Sequence, residues 1–219
     1  MSESVYDLVI LGAGSGGYAA ALRASQLGLK VALIEGDKVG GTCLHRGCIP
    51  TKAYLHAAET ADAIRESDTF GVQATLQGID MAKVGQYRDS IINKLFRGVQ
   101  GLLSSRGVDV IEGWGRLASP DTIEVNGRRI VGRNIILATG SYSRSIPGLD
   151  ISGRIITSDQ ALQMEWVPQR AVVLGGGVIG LEFASVWRSF GAEVTIIEAL
   201  PHLANNEDEA VSKHLERSF

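Results

Sequence analysis

Cys43 and Cys48 are the only two cysteines of the chain, with four residues between them. They lie in the segment Gly40-Gly41-Thr42-Cys43-Leu44-His45-Arg46-Gly47-Cys48-Ile49-Pro50-Thr51-Lys52. Pro50 suits the first turn of a helix, so both thiols sit where a helix begins. A helix N-terminus lowers a thiol pKa, and Arg46 and Lys52 add positive charge nearby. Closing so short a loop as a disulfide would stabilise the fold by only about 2 kcal/mol. A bond with so little to give stability reads as redox-active. Three other readings stand beside it. The cysteines could be small buried hydrophobes. Zinc wants about four ligands, and only His45 is near. A thioredoxin-like dithiol would be spaced C-x-x-C, which this pair is not.

The thiols need neighbours that carry electrons, and the flanking sequence offers two. Laid against itself at an offset of 163 residues (Gly12 onto Gly175), the chain repeats without a gap. Leu8-Val9-Ile10-Leu11 leads to Gly12, Gly14 and Gly17, then Gly28, Val31 and Glu35. Ala171-Val172-Val173-Leu174 leads to Gly175, Gly177 and Gly180, then Gly191, Val194 and Glu198. Each copy is an apolar strand, a G-x-G-x-x-G turn, an amphipathic helix, a second apolar strand and an acid. The first glycine makes the tight turn, the second admits a pyrophosphate to the backbone, and the third lets helix pack on strand. The helix points its positive end at the phosphates, and the acid accepts from a ribose hydroxyl. A lone glycine triplet is a weak signal, but the full unit occurs twice, so the chain is expected to hold two dinucleotide sites. The second site takes in Val178 and Ile179 at its helix start. The Glu198 carboxylate welcomes a 2′-hydroxyl and repels a 2′-phosphate, which favours NAD over NADP.

Composition excludes the other broad classes. The chain has 219 residues, 45% hydrophobic and 21% charged, with a net charge of −3. That balance rules out disorder and gives no footprint for nucleic acid or an anionic membrane. Glycine is in excess, 27 of 219 residues. Met1-Ser2-Glu3-Ser4 carries no basic region ahead of an apolar one, so no secretory signal is visible. No apolar run reaches the ~20 residues of a membrane span. Two cysteines exclude a disulfide scaffold and point to a reducing compartment, the cytoplasm by default. The fold expected is α/β, with two Rossmann-like dinucleotide folds. Thr51–Ser67 and Asp80–Arg106 read as helices, the latter with Ile91, Leu95, Val99 and Leu102 at helical spacing. Val5–Leu11, Val108–Glu112, Thr122–Asn126 and Asn134–Ala138 read as strands, the last running into Ala138-Thr139-Gly140. Arg144–Gly148 reads as a linker, dividing residues 1–147 from residues 148–219, and Asp208–Phe219 reads as a helix.

The glycine turns, the Gly41-Thr42-Cys43 and Gly47-Cys48-Ile49-Pro50-Thr51-Lys52 segment, Ala138-Thr139-Gly140 and Gly175–Phe183 together resemble the pyridine nucleotide-disulfide oxidoreductases over the whole chain. His45-Arg46 departs from the more frequent Asn-Val of that family. The resemblance implies FAD in the first site and NAD in the second, so that residues 1–147 form a FAD-binding segment and residues 148–219 part of an NAD-binding one. It implies that Glu35 holds the adenine ribose and that backbone at Thr42, Gly115 and Gly140 lines the flavin nucleotide. Cys48 would be the flavin-proximal thiolate and Cys43 the thiol that exchanges with substrate. Lys52 would lie at the reactive edge of the flavin, paired with Glu182. At offset 163 the counterpart of Glu182 is Ala19, so the nucleotide motif itself does not call for a carboxylate there. A Glu early in a buried helix is costly unless paired, whereas a Glu facing solvent needs no partner.

The implied activity is oxidation of dihydrolipoamide by NAD⁺, with a homodimer and the lipoyl-bearing subunit of a 2-oxo acid dehydrogenase complex as partners. The family's second flavin segment and its interface domain, which supplies a His-Glu acid/base pair, have no match here. His45, His56, His202 and His214 are the only histidines, and none stands in a His-Pro context. Two classes therefore stand open: a fragment of such an enzyme (or of a sibling reducing glutathione or Hg²⁺), and a non-catalytic nucleotide-binding piece. His45, in a loop beside an Arg, is expected at the surface rather than as a substitute acid/base.

Overall fold

The computed structural model describes residues 5–219, so the reading of Met1–Ser4 lies outside the described residues. By packing, the chain divides into two compact units: Met1–Ile49 with Ser90–Asp150, and Pro50–Asp89 with Ile151–Phe219.

The first unit is built on the first repeat. Strand β1 (Tyr6–Leu11), helix α1 (Ser15–Gln26) and strand β2 (Val31–Glu35) form a parallel βαβ unit, with Leu8 opposite Val31 and Leu11 opposite Ile34. A five-residue helix α2 (Gly41–His45) follows; from Pro50 helix α3 (Cys48–Glu66) belongs to the second unit, and from Ser90 helix α4 (Met81–Ser105) belongs to the first again and leads into strand β3 (Asp109–Glu112). Strands β4 (Arg116–Ser119), β5 (Thr122–Val125) and β6 (Arg128–Leu137) follow as an antiparallel meander. The sheet order is β3-β2-β1-β6-β5-β4. β6 is the hinge of this mixed sheet, antiparallel to β5 at its start and parallel to β1 along its length. At its bend Gly132 is required, because a Cβ there would stand 2.6 Å from the Val9 side chain.

The alternation of β1 and β2 sends side chains to two cores. Leu8, Ile10, Val31 and Leu33 pack with Ala21, Ala24 and Leu103 on the helical side. Val9, Ala32 and Ile34 pack with Ile111, Ile123, Val125 and Ile130 on the other. The stripe expected along α4 is rotated. Val99 does face the core with Phe96 and Leu103, but Leu95 and Leu102 are 40% and 51% exposed.

The second unit holds the second repeat: strand β7 (Arg170–Leu174), helix α6 (Val178–Phe190) and strand β8 (Glu193–Ile197), again parallel. Two short helices, α5 (Ser158–Ala161) and α7 (Glu209–Glu216), flank it, the latter capped by the Asp208 carboxylate accepting from Ala210 N–H. The core gathers Tyr54, Ala58, Leu162, Phe183, Val186, Trp187 and Phe190. Through it runs the buried Arg88, which donates to Tyr54 Oη at 3.1 Å, to the Leu162 carbonyl and to Asp89 Oδ1 at 2.8 Å. The outer face of β7 and β8 stays open, with Val172 67%, Leu174 54% and Ile197 50% exposed. No helix among the described residues is long and apolar enough to cross a membrane.

The glycines divide into two kinds, which substitution will separate. Gly17→Ala puts a Cβ 1.8 Å from the Gly12 carbonyl oxygen, so unfolding in urea should register a loss of about 3 kcal/mol or more. Gly101, exposed on α4, has nothing within 4 Å of a built Cβ. Gly101→Ala should instead add about 0.5–1 kcal/mol through helix propensity.

Candidate functional site

The two glycine turns are congruent down to their hydrogen bonds. Gly12 N–H donates to the Ile34 carbonyl and Gly175 N–H to the Ile197 carbonyl, both at 2.8 Å. Gly12 and Gly175 both take a left-handed backbone, φ +99° and +107°. Gly17 and Gly180 must lack a side chain, since a Cβ would fall 1.8 and 2.2 Å from the carbonyl oxygens of Gly12 and Gly175. The middle glycines differ in kind. Gly14 and Gly177 cap α1 and α6 in ordinary extended backbone, φ −65° and −77°. A Cβ at Gly177 meets nothing within 4 Å, and one at Gly14 meets only Gly41 Cα at 3.9 Å. Neither strain nor packing demands glycine at these two positions. What remains is room for a group outside the chain, and the donors facing that room are helix N-terminal N–H groups. A diphosphate fits both the space and the donor set.

The acids close each turn from the far strand. Glu35 accepts from Ala13 N–H at 2.7 Å and Asp37 N–H at 2.9 Å. Glu198 accepts from Gly176 N–H at 2.6 Å and Leu200 N–H at 2.8 Å. The N–H groups of Leu200 and then Gly176 hold the Glu198 carboxyl below the usual glutamate range. An ionised carboxylate has about four acceptor positions, so each acid keeps capacity for a ribose hydroxyl. This latch was not legible in the sequence, because it uses backbone donors of residues whose side chains (Ala13 and Gly176, Asp37 and Leu200) do not match across the repeat.

The cysteine segment is fastened to the first turn. Gly40 N–H donates to the Ala13 carbonyl at 2.8 Å, and Gly40 forms an isolated β-bridge with Gly14. Gly41 is left-handed at φ +58°, and a Cβ on it would lie 2.6 Å from Gly14 Cα. Two backbones thus touch where α2 begins. Cys43 lies in α2, half-buried, and Cys48 is the first residue of α3 and exposed. The two are not bonded to one another in this structure. Thr42 is exposed. His45 is not a surface loop residue, as its context implied. It ends α2 half-buried, with Nε2 2.9 Å from the Val39 carbonyl and its ring edge-on to Phe96 at 5.1 Å. Arg46 pairs with Asp37 at 3.6 Å, so its charge is shared with a carboxylate as well as with the thiol segment.

Gly140 follows β6 with φ +78° and open space around it. Just before it, Ala138 N–H donates to the Leu11 carbonyl at 2.8 Å, which brings the strand exit to the first turn. Gly115 is needed by packing, because a Cβ would press on Leu11, Ile123 and Ile34. In the second unit, Val178 and Ile179 open α6 at 56% and 62% exposure beside the second turn. There the structure brings Lys52 and Glu182 together: Lys52 Nζ donates to Glu182 Oε1. Glu182 retains 21% of its side-chain exposure and Lys52 59%. No group of three or more His, Cys, Asp or Glu suited to a metal occurs among the described residues.

Comparison with known proteins agrees with this architecture. Residues 6–219 match the family model described as pyridine nucleotide-disulphide oxidoreductase. A dihydrolipoyl dehydrogenase of Bacillus subtilis is 45% identical over 225 residues, covering 96% of this chain and 48% of the relative. One of Thermus scotoductus is 41% identical, covering 98% and 46%. Among solved structures, the HOCl-induced flavoprotein disulfide reductase RclA of Escherichia coli superposes with a TM-score of 0.79 at 30% identity, over 97% of this chain and 46% of that one. The chain spans about half the length of the curated relatives it matches.

The Glu198 latch has a pH signature. Its folded pKa lies below the unfolded value of about 4.3, so its contribution is present above that value and is lost as pH falls through the folded one. Asp121 and Glu216 are shifted the same way, so the informative quantity is a difference between proteins. Glu198→Gln should melt below the parent at neutral pH, and the gap should narrow as the pH is lowered through the acid range below the ordinary glutamate value. Thermal unfolding followed by circular dichroism across that range measures it; a constant gap would mean that no ionised latch exists.

Proposed function

The chain belongs to the pyridine nucleotide-disulphide oxidoreductases, and from that premise we propose that it carries the FAD-binding, thiol-bearing and NAD-binding portions of a dihydrolipoyl dehydrogenase. The observation that carries the proposal is the backbone contact of Gly41 with Gly14. It ties the only two cysteines of the chain to a turn with room and donors for a diphosphate.

In this reading residues 1–147 serve FAD. Gly12, Gly14 and Gly17 cradle the diphosphate, Glu35 accepts from the adenine ribose, and backbone at Thr42, Gly115 and Gly140 lines the rest. Residues 148–219 serve NAD through Gly175, Gly177, Val178, Ile179, Gly180 and Glu198. The carboxylate of Glu198 disfavours a 2′-phosphate there.

The thiols do the exchange. A thiolate of dihydrolipoamide attacks Cys43 Sγ of the Cys43–Cys48 disulfide, and Cys48 leaves as thiolate. The second substrate thiol then displaces Cys43, closing lipoamide and leaving both protein thiols reduced. Bound FAD supplies the two-electron chemistry that returns the dithiol to disulfide and reduces NAD⁺. Cys48 begins α3 and is exposed, so its sulfur is open to a partner outside the chain. Lys52, four residues on along the same helix, holds its ammonium at a fixed place through Glu182. A Lys offers three donors and no acceptor, which suits it to a site where electron density collects. The lipoyl-bearing subunit of a 2-oxo acid dehydrogenase complex, a second copy of the protein and a cytoplasmic setting complete the proposal. A sibling disulfide reductase is the second reading, favoured by the likeness to the Escherichia coli enzyme.

Spectroscopy on the purified chain tests both. With added FAD it should turn yellow after desalting, and dihydrolipoamide should raise a long-wavelength band from a thiolate beside the flavin. Cys48→Ser should abolish that band. Gly14→Ala should keep the circular dichroism of the parent yet lose retained FAD by ~10-fold or more, because its Cβ takes the diphosphate's place. A chain that stays colourless overturns the proposal; a band raised by another dithiol and not by dihydrolipoamide selects the sibling.

A further inference from the structure

Three features lie outside the functions just assigned: the buried Arg88, the open face of β7 and β8, and Trp114. Arg88 is explained by the three groups it bonds, and nothing shows what would cover the open face. Trp114 carries an inference.

Its indole is 82% exposed, although it sits on one of the most constrained loops of the first unit. Gly113 N–H donates to the Glu35 carbonyl at 2.7 Å, fixing the loop to the end of β2. Gly113 has φ +142° and a built Cβ would collide with Asn126, whose Nδ2 in turn donates to the Glu112 carbonyl at 2.8 Å. Gly115, on the other side, is wedged against Leu11, Ile34 and Ile123. A rigid Gly-Trp-Gly loop therefore holds the ring outward at the carboxyl end of the parallel strands, where nucleotides bind in such sheets.

One face of the ring rests on Gly36, the residue after Glu35. A Cβ on Gly36 would lie 2.6, 2.8 and 2.9 Å from Cδ2, Cε2 and Cε3 of the indole. Gly36 is not in the left-handed region, and its counterpart in the second repeat is Ala199. The turn itself thus tolerates a side chain; it is Trp114 that excludes one. The first site carries a flat aromatic surface beside its acid Glu35, with the indole otherwise open to water. Exposing so much apolar area has no benefit to folding, and a purine attached to the ribose at Glu35 is within reach of it.

We propose that Trp114 is the stacking platform for the adenine of the dinucleotide held at the Gly12–Gly17 turn. The proposal rests on the assignment of FAD to that turn. Stacking of a base on an aromatic ring tolerates exchange between aromatic side chains and is lost on truncation.

Binding titrations on the apo chain test it, with FAD and with FMN, which lacks the adenylate. Trp114→Ala should weaken FAD by ~10-fold, whereas Trp114→Phe should stay within about 3-fold of the parent. Gly36→Ala, which displaces the ring without touching the acid, should fall toward Trp114→Ala. FMN affinity should not change in any of the three. Equal FAD affinity in Trp114→Ala and parent, or an equal loss for FMN, overturns the platform while leaving the FAD assignment in place. A parent that takes up neither flavin overturns both.

Discussion

Everything that the chain could do with its thiols depends on one contact in which two backbones meet without side chains between them. Gly14 and Gly41 approach so closely that a Cβ on Gly41 would lie 2.6 Å from Gly14 Cα. The Gly40 N–H to Ala13 carbonyl bond and the Gly14–Gly40 bridge hold the approach in place. A longer connection or a bulkier residue would let the cysteine segment drift, and redox chemistry between a thiol and a bound ring is sensitive to small displacements. The five-residue helix α2 exists in this setting. Too short to be stable alone, it is ordered by the left-handed Gly40 and Gly41 at its start and by Leu44 in the core.

The repeat shows which parts of a dinucleotide motif belong to the fold. Both copies share strand register, first-glycine conformation, the third-glycine contact and the carboxylate latch. They diverge in what lies on the far side of the strands. In the first unit Val9, Ala32 and Ile34 are fully buried, packed with Ile111, Ile123, Val125 and Ile130. In the second, Val172 and Ile197 at corresponding positions are open. The latch is thus a local property of the βαβ unit. Its donors and its acid all lie within the strand–turn–helix–strand segment of each copy or within two residues of the acid that closes it.

How far the sequence discloses this structure follows from how local each cause is. The βαβ units and the long helices were legible, since hydrophobic period and glycine spacing act over a few residues. β4 and the first half of β6 were not. Arg128-Arg129-Ile130-Val131-Gly132-Arg133 has no strand-like alternation, and it becomes a strand because Asn126-Gly127 turn it back onto β5. The core-facing stripe of α4 is displaced by one residue from the one its leucines suggest, as Phe96 and Leu103 rather than Leu95 and Leu102 meet the core. Leucine occurs on both sides of that helix, so composition could not choose. At the site, residue identities in the turns were visible from spacing, while the bonds of Glu35 and Glu198 to backbone N–H groups left no trace in side-chain pattern. The loop context of His45 beside Arg46 points to the surface, whereas its half-burial comes from Phe96, fifty-one positions away.

The middle glycines sharpen what a motif can mean. A sequence shows Gly12, Gly14 and Gly17 as equals, yet three different constraints keep them. Gly12 answers to a left-handed backbone and a crowding Ala138 carbonyl, and Gly17 to the crossing of helix and turn. Gly14 answers to neither, and nor does Gly177, whose surroundings within 4 Å are empty. An absent side chain in ordinary backbone and open space weakens a helix start relative to Ser, Thr, Asp or Asn, the better caps. Two such choices at the same place in both repeats run against stability alone. What the two positions gain instead is an open approach to the N–H groups that begin α1 and α6, nearer to the backbone than any side chain would leave it.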